Sequence, residues 1–298
     1  MIFEAAAPEF DVIVAKDAVY EVVADGYSLT EGLVWRQSDQ SLIFSELVSS
    51  TVNRWSRADG LSVLRRPSNI TNGNYLDRYQ RLISCEHATS SVSRLEECGR
   101  LFKVLASHYD GKELNSPNDV IVDSQDRIWF TDPPYGRTHT RVGVIRDIVQ
   151  DARGVYRLDP DGTLTRVVAD FVLPNGLCLS PDESVLYIND TDRLHIRRFA
   201  VKGDGSLSGG EVFAEISGDG EGKPDGMKAD TEGRIYCTGP GGIHVLLPDG
   251  TYTGRILARE NTRNFCCGGP RFDEMFFGTS SAVLHLDMAV TGVAPPVR

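Results

Sequence analysis

The sequence predicts an all-β protein, a six-bladed β-propeller of four-stranded antiparallel blades in which residues 1–298 form a single domain. Three observations predict it. Short runs rich in β-branched and aromatic residues recur along the chain, bounded by Gly, Asp, Asn and Pro turns, and no stretch keeps a helical period. The runs fall into sets of four that repeat six times. At the head of each set an acid or amide side chain stands just before an apolar run, at Glu31, Asn74, Asn118, Asn175, Asp225 and Asn264.

The first strands read TEGLVW from Thr30, GNYLD from Gly73, PNDVIV from Pro117, PNGLCL from Pro174, PDGMKA from Pro224 and RNFCCG from Arg263. A polar turn and a second strand follow each: SDQSLIFSE, RYQRLISCEH, SQDRIWFTD, SPDESVLYIND, DTEGRIYCTG and RFDEMFFGT. Their central residues Leu42, Leu82, Ile128, Leu186, Ile235 and Met275 lie 40 to 58 residues apart, the period of propeller blades. Third strands are VNRWS, VSRLE, GVYRLD, HIRRFA, GIHVLL and AVLHLD, and fourth strands LSVLRR, LFKVLAS, LTRVVAD, EVFAEI and YTGRILA. The last set has no fourth strand. The N-terminal passage VYEVVADGYSLTEGLVW matches the fourth-to-first passage LTRVVADFVLPNGLCL, so Val19–Ala24 is expected to complete the last blade and close the ring.

In an up-and-down blade, first-strand starts and second-strand ends share one face. Glu46, Glu86-His87, Thr131-Asp132 and Asn189-Asp190 should therefore join the six opening positions there. The connection after the second strand of the third set is enlarged around residues 136–153. It reads equally as a lid or substrate wall and as an inert surface insertion.

Composition excludes several classes. With 41% hydrophobic and 24% charged residues the chain is that of a globular protein, and its net charge of −11 argues against nucleic acid as a partner. No run approaches the roughly 20 apolar residues of a membrane span, and the N-terminus lacks the basic start and apolar segment of a signal peptide. The reading is a cytoplasmic monomer or weak homo-oligomer whose partner is a small molecule. The six cysteines are expected to be reduced, and the absence of C-x-x-C argues against a thiolate zinc site.

One Asn or Asp before a strand is ordinarily a turn residue. Six of them at one strand end, with Glu at the first, instead suggest a site for one hard divalent cation. Ca²⁺ heads the list, then Mg²⁺ and Mn²⁺, with Zn²⁺ and Fe²⁺ as further alternatives. Asn264 reads as blade geometry. No G-x-S-x-G or H-E-x-x-H occurs, which argues against serine hydrolases and zincins.

TEGLVW, SPNDV, LPNGLCLSPDES, PDGMKADTEGRIY and CCGGP, together, resemble the SMP-30/gluconolactonase/regucalcin-like family over about Thr30 to Leu286. The resemblance implies a propeller with one axial divalent metal that hydrolyses sugar lactones, a step of carbohydrate metabolism. It implies Glu31, Asn175 and Asp225 as metal ligands and Asn118 as a ligand or substrate contact. FTDPPYG around Tyr135 is similar to bacterial gluconolactonase-like members, and Tyr135, Asn74 and His87 are read as substrate contacts. Regucalcin-type members carry an arginine two residues before that Asn, where this chain has Ser116, so the sugar contact there differs. The mechanism expected is Lewis-acid activation of the lactone carbonyl, with Asp225 orienting or deprotonating water and His87 as the competing base. Alternatives are a calcium-dependent phosphotriesterase-like hydrolase and a non-catalytic propeller that binds proteins.

Overall fold

Burial falls from the first strand of each set to the last, because inner strands pack against neighbouring blades on both faces while outer strands meet water on one. The strand Ser41–Glu46 is buried at every residue, whereas Gly60–Arg65 of the same sheet is largely exposed. The structure, a computed structural model, describes residues 2–15, 17–258 and 260–298. It is a six-bladed β-propeller of four-stranded antiparallel sheets with almost no helix, as the repeat predicts. Among the described residues no helix is long and apolar enough to cross a membrane.

Residues 31–175, with 295–298, form one compact unit. Its first blade runs Thr30–Arg36, Ser41–Glu46, Thr51–Ser56 and Gly60–Arg65 in that spatial order. The second runs Thr71–Leu76, Leu82–Glu86, Ser91–Leu95 and Phe102–Ala106, and the third Val120–Val122, Ile128–Thr131, Val155–Leu158 and Leu164–Val168. Val34, Ile43, Leu76 and Leu82 fill the space between the first two blades, and Ile83, Cys85, Val120 and Phe130 the space between the next two.

Residues 1–30 and 176–294 form the other unit. Its sheets begin with Pro174–Leu179, Met227–Ala229 and Asn264–Gly268. Cys178, Tyr187, Met227 and Ile235 form one core there, and Tyr236, Val245, Phe265 and Phe277 another. The N-terminal strand expected at Val19–Ala24 is Glu21–Asp25, paired antiparallel with Ala282–Asp287 so that Glu21 faces His285. A second N-terminal strand, Phe3–Ala5, was not anticipated. It pairs with Tyr252–Leu257 as a fifth strand of the blade that begins at Met227. Phe10, Ile13 and Val14 follow it into the core of the same unit.

The turns between first and second strands have a side-chain reason for their register. In three blades an Asp accepts from both the backbone and the guanidinium of an Arg four residues on: Asp77 with Arg81, Asp123 with Arg127, and Asp230 with Arg234. The residue before each Arg is left-handed, and only in the last turn is it glycine, Gly233, which adopts that conformation without strain. None of the six cysteines is bonded to another.

The N-terminus therefore carries two strands and three core side chains. Phe10→Ala should lower the unfolding free energy by about 3–5 kcal/mol in denaturant titration. Deletion of residues 1–25 should abolish recovery of soluble folded protein. A soluble deletion variant with a wild-type melting temperature would contradict this anchoring.

Candidate active site

The backbone at the head of each first strand is fixed before any side chain is considered. In three places a polar side chain of a preceding second strand donates to the carbonyl of the oxygen-bearing residue in the next blade. Ser45 Oγ bonds Asn72 O at 2.8 Å, Thr131 Oγ1 bonds Asn175 O at 2.7 Å and Asn189 Nδ2 bonds Asp225 O at 2.6 Å. Gly73 N makes the corresponding bond to Asn118 O at 2.8 Å. A glycine follows the oxygen-bearing residue wherever the next blade comes closest. A Cβ on Gly32 would strike the Asn72 carbonyl, and one on Gly176 would strike the Asp225 carbonyl.

These bonds assign the blade positions, and they move one of them. The residue of the second blade that stands where Glu31, Asn118, Asn175 and Asp225 stand is Asn72, not Asn74. A bulge between Thr71 and Asn74 shifts the register there by one residue. Asn74 is spent inside the protein: its Nδ2 donates to Gly32 O at 2.9 Å and Ser45 Oγ at 2.7 Å, and its Oδ1 accepts from Ser84 Oγ at 2.7 Å. These bonds set both ends of its carboxamide against protein groups. The signal that finds Asn72 is the pair of an oxygen-bearing residue followed by glycine, shared by Glu31-Gly32, Asn72-Gly73, Asn175-Gly176 and Asp225-Gly226.

In the unit of residues 31–175, Glu31, Asn118 and Asn175 are 5%, 5% and 3% exposed. Glu31 Oε2 accepts from Gly32 N at 3.2 Å. In the other unit Asp225 is half-buried. Asn264 there accepts from Phe265 N at 2.9 Å and from Lys228 Nζ at 3.4 Å, in keeping with its reading as blade geometry. Among the described residues no cluster of three or more His, Cys, Asp or Glu is placed to hold a metal. A donor set of carboxylate and amide oxygens is of a different kind, and it is the kind hard cations take.

The second-strand carboxylates expected at this face serve their own turns. Glu46 accepts from Ser49 N at 2.6 Å, and Asp190 from Arg193 N at 3.2 Å. Glu86 is held by Arg65 at 2.7 Å and by Asn69 at 2.7 Å. Burial raises the Glu86 carboxyl, but the bonds from Ser93, Arg65 and Asn69 outweigh it and leave it below its ordinary value.

His87 is 1% exposed and lies under the third-blade insertion. Its Nδ1 is 2.8 Å from Val142 O and its Nε2 3.3 Å from Asn72 Nδ2. Burial holds its pKa down at about 4; the Arg146 charge adds to this and the Val142 bond partly opposes it. A base so weak and so engaged is poorly suited to take a proton from water at neutral pH.

The insertion is braced rather than free. Arg137, 2% exposed, donates to Asn115 O at 2.7 Å, Leu114 O at 2.7 Å, Asp147 O at 2.6 Å and Glu113 at 2.6 Å. Arg146 reaches His87 O and Ser90 Oγ, and Gln150 reaches three carbonyls of the segment 109–113. Ser116 donates to Pro133 O and accepts from Gly136 N, and so holds the turn that carries Tyr135. Tyr135 is half-buried at the head of the single helical turn Tyr135–Thr138.

Asp132 is fully buried, and burial raises its carboxyl from 3.8 to about 7 against the bonds from Asn115 N and Ser116 N and the Arg137 charge. It anchors the segment leading to Asn118 by accepting from Asn115 N at 2.8 Å.

The sequence pattern described as the SMP-30/Gluconolactonase/LRE-like region matches residues 29–281. The chain is 29% identical to a gluconolactonase of Zymomonas mobilis over 301 residues, covering 94% of this chain and 84% of that protein. It is 26% identical to the pentonolactonase XacC of Haloferax volcanii, covering 92% and 96%. Its fold matches the structure of a gluconolactonase from Xanthomonas campestris with a TM-score of 0.89 at 32% identity, covering 97% of this chain and 95% of that one.

His87 and Asp132 should give opposite pH dependences of stability. The folded-state value of His87 is depressed, so its contribution is intact above 6.5 and lost as pH falls toward 4. That of Asp132 is raised, so its contribution is full below 3.8 and lost as pH rises through about 7. Each amounts to something on the order of 3–4 kcal/mol. Between pH 4 and 6.5, Asp132→Asn should gain on the wild type with rising pH in denaturant titrations, and His87→Gln should lose. Differences independent of pH would remove these two groups as the source.

Proposed function

We propose that this chain, which belongs to the SMP-30/gluconolactonase/LRE-like family, hydrolyses the ring ester of a sugar lactone at the mouth positions of its first strands. The observation that carries the reading is the set of first-strand oxygens. Glu31, Asn118 and Asn175 are nearly inaccessible polar side chains, and a neighbouring blade holds the backbone carbonyls of Asn118 and Asn175 in place. Carboxylate and amide oxygens together are the donor kind that a hard cation takes. The names of the relatives, gluconolactonase and pentonolactonase, supply the substrate class.

Glu31, Asn118, Asn175 and Asp225 would hold one divalent cation, Ca²⁺ by the hardness of the donors. Two carboxylates balance its charge, and the amides add oxygens without adding charge. Bound there, the ion would supply Lewis acidity toward the lactone carbonyl and stabilise the oxyanion that forms.

The chain's own residues account for the rest. Asp225 is the half-buried member of the set, accessible to water where the others are enclosed, and it orients the attacking water and draws its proton. Water adds to the acyl carbon, the ring C–O bond breaks, and the departing oxygen takes a proton to become a hydroxyl. The product acid ionises at neutral pH and releases a proton. Tyr135, on a turn braced by Ser116 and Arg137, bounds the substrate side.

The test is proton release from a panel of aldonolactones, followed before and after chelation and on return of Ca²⁺. Chelation should abolish release and lower the melting temperature, and Ca²⁺ should restore both. Asp225→Asn should reduce kcat by at least about a hundredfold, the scale of losing general-base catalysis. Activity within tenfold of wild type would remove Asp225 from that role. Faster turnover of an organophosphate triester than of any lactone would replace the substrate class.

A further inference from the structure

We infer that His87 is a positioning residue: its tautomer, set by the third-blade insertion, turns the Asn72 carboxamide so that its oxygen faces the substrate as an acceptor for a lactone hydroxyl. The inference rests on the lactonase reading for its substrate and on geometry for the rest.

Val142 O lies 2.8 Å from His87 Nδ1, and a carbonyl can only accept, so Nδ1 carries the proton. The ring is buried among groups that keep it neutral, so Nε2 has a lone pair and no proton. The group 3.3 Å from Nε2 must therefore be a donor, and this fixes which end of the Asn72 amide points there. Nδ2 faces the imidazole and Oδ1 faces away. Among the described residues no protein group donates to that oxygen. Asn72 stands at the same blade position as Glu31 and Asn118, with its backbone carbonyl held by Ser45, so the free oxygen belongs to the mouth.

An acceptor with no protein donor, enclosed by a residue only 5% exposed, is a place for a substrate O–H. It discriminates, because a ligand without that hydroxyl leaves the oxygen desolvated and unpaired. The chemistry recognised is a hydroxylated lactone over its unsubstituted counterpart. The insertion then acts through Val142. Gly136 packs against the His87 side chain so closely that a Cβ there would lie 2.7 Å from His87 Cβ, which fixes the insertion on the ring.

Two measurements test this, one independent of turnover. In ¹⁵N-imidazole NMR at pH 7, the signal absent from His87→Gln should show a protonated Nδ1 and a bare Nε2; a protonated Nε2 overturns the inference whatever the enzyme hydrolyses. In kinetics, the ratio of kcat/KM for D-glucono-δ-lactone to that for δ-valerolactone should fall about tenfold or more in His87→Phe. His87→Gln, which keeps an oxygen able to accept from Asn72, should retain most of the ratio. A merely structural role would lower both substrates together and leave the ratio unchanged, which also overturns it. A folded wild-type protein that opens neither lactone overturns the lactonase reading and the substrate half of the inference, while the NMR result stands by itself.

Discussion

A side chain on one blade donating to the backbone carbonyl of the next blade's mouth residue is the interaction on which the site depends. Ser45, Thr131 and Asn189 make it to Asn72, Asn175 and Asp225. Each bond does two things. It satisfies a buried carbonyl that the sheet ladder does not reach, and it sets the height at which the following side chain leaves the strand. Glycine after the mouth residue is a consequence, since the facing carbonyl occupies the space a Cβ would need. Where glycine is absent, as at Asp119, the preceding residue is tied differently: Asn118 N donates to Thr131 O at 2.8 Å. The geometry of the oxygens is thus a property of how blades are joined, and the side chains inherit it.

Around this frame the protein avoids buried net charge. Asp132 is raised to about 7 and His87 lowered to about 4, so near neutrality the one is substantially protonated and the other bare. Glu86 keeps its charge because Arg65 and a set of hydroxyl and amide donors surround it. Arg137, also deeply buried, spends its donors on three carbonyls and on Glu113. Charged groups here are wrapped in hydrogen bonds and unwrapped ones are neutral, which is the pattern desolvation enforces.

What the sequence made legible follows the same division. Blade number, strand order and the N-terminal strand of the last blade were readable because they repeat, and a repeated pattern reports on backbone alone. The register of the second blade was not, because the bulge between Thr71 and Asn74 places two asparagines near one position. Only the inter-blade bond to Asn72 O distinguishes them. The strand Phe3–Ala5 was missed because three residues show no periodicity and its partner is about 250 residues away. The bracing of the insertion was invisible for another reason. An arginine in a polar loop reads as solvated, and nothing local marks Arg137 as one whose partners lie in the segment 113–115.

The choice of amides over carboxylates at the mouth follows from electrostatics. Every position would accept Asp sterically, since Asp and Asn have the same shape. On the proposed cation reading two carboxylates balance a divalent charge, and a third would overcompensate it within a chain that already carries −11. On that reading Asn118 and Asn175 would supply ligand oxygens at no such cost. Asn72 goes one step further. Its amide donates to a neutral imidazole, and an Asp there would place two acceptors face to face or force His87 to take a proton that its burial resists. The residue types Asn72 and His87 are therefore coupled through charge as well as through a hydrogen bond.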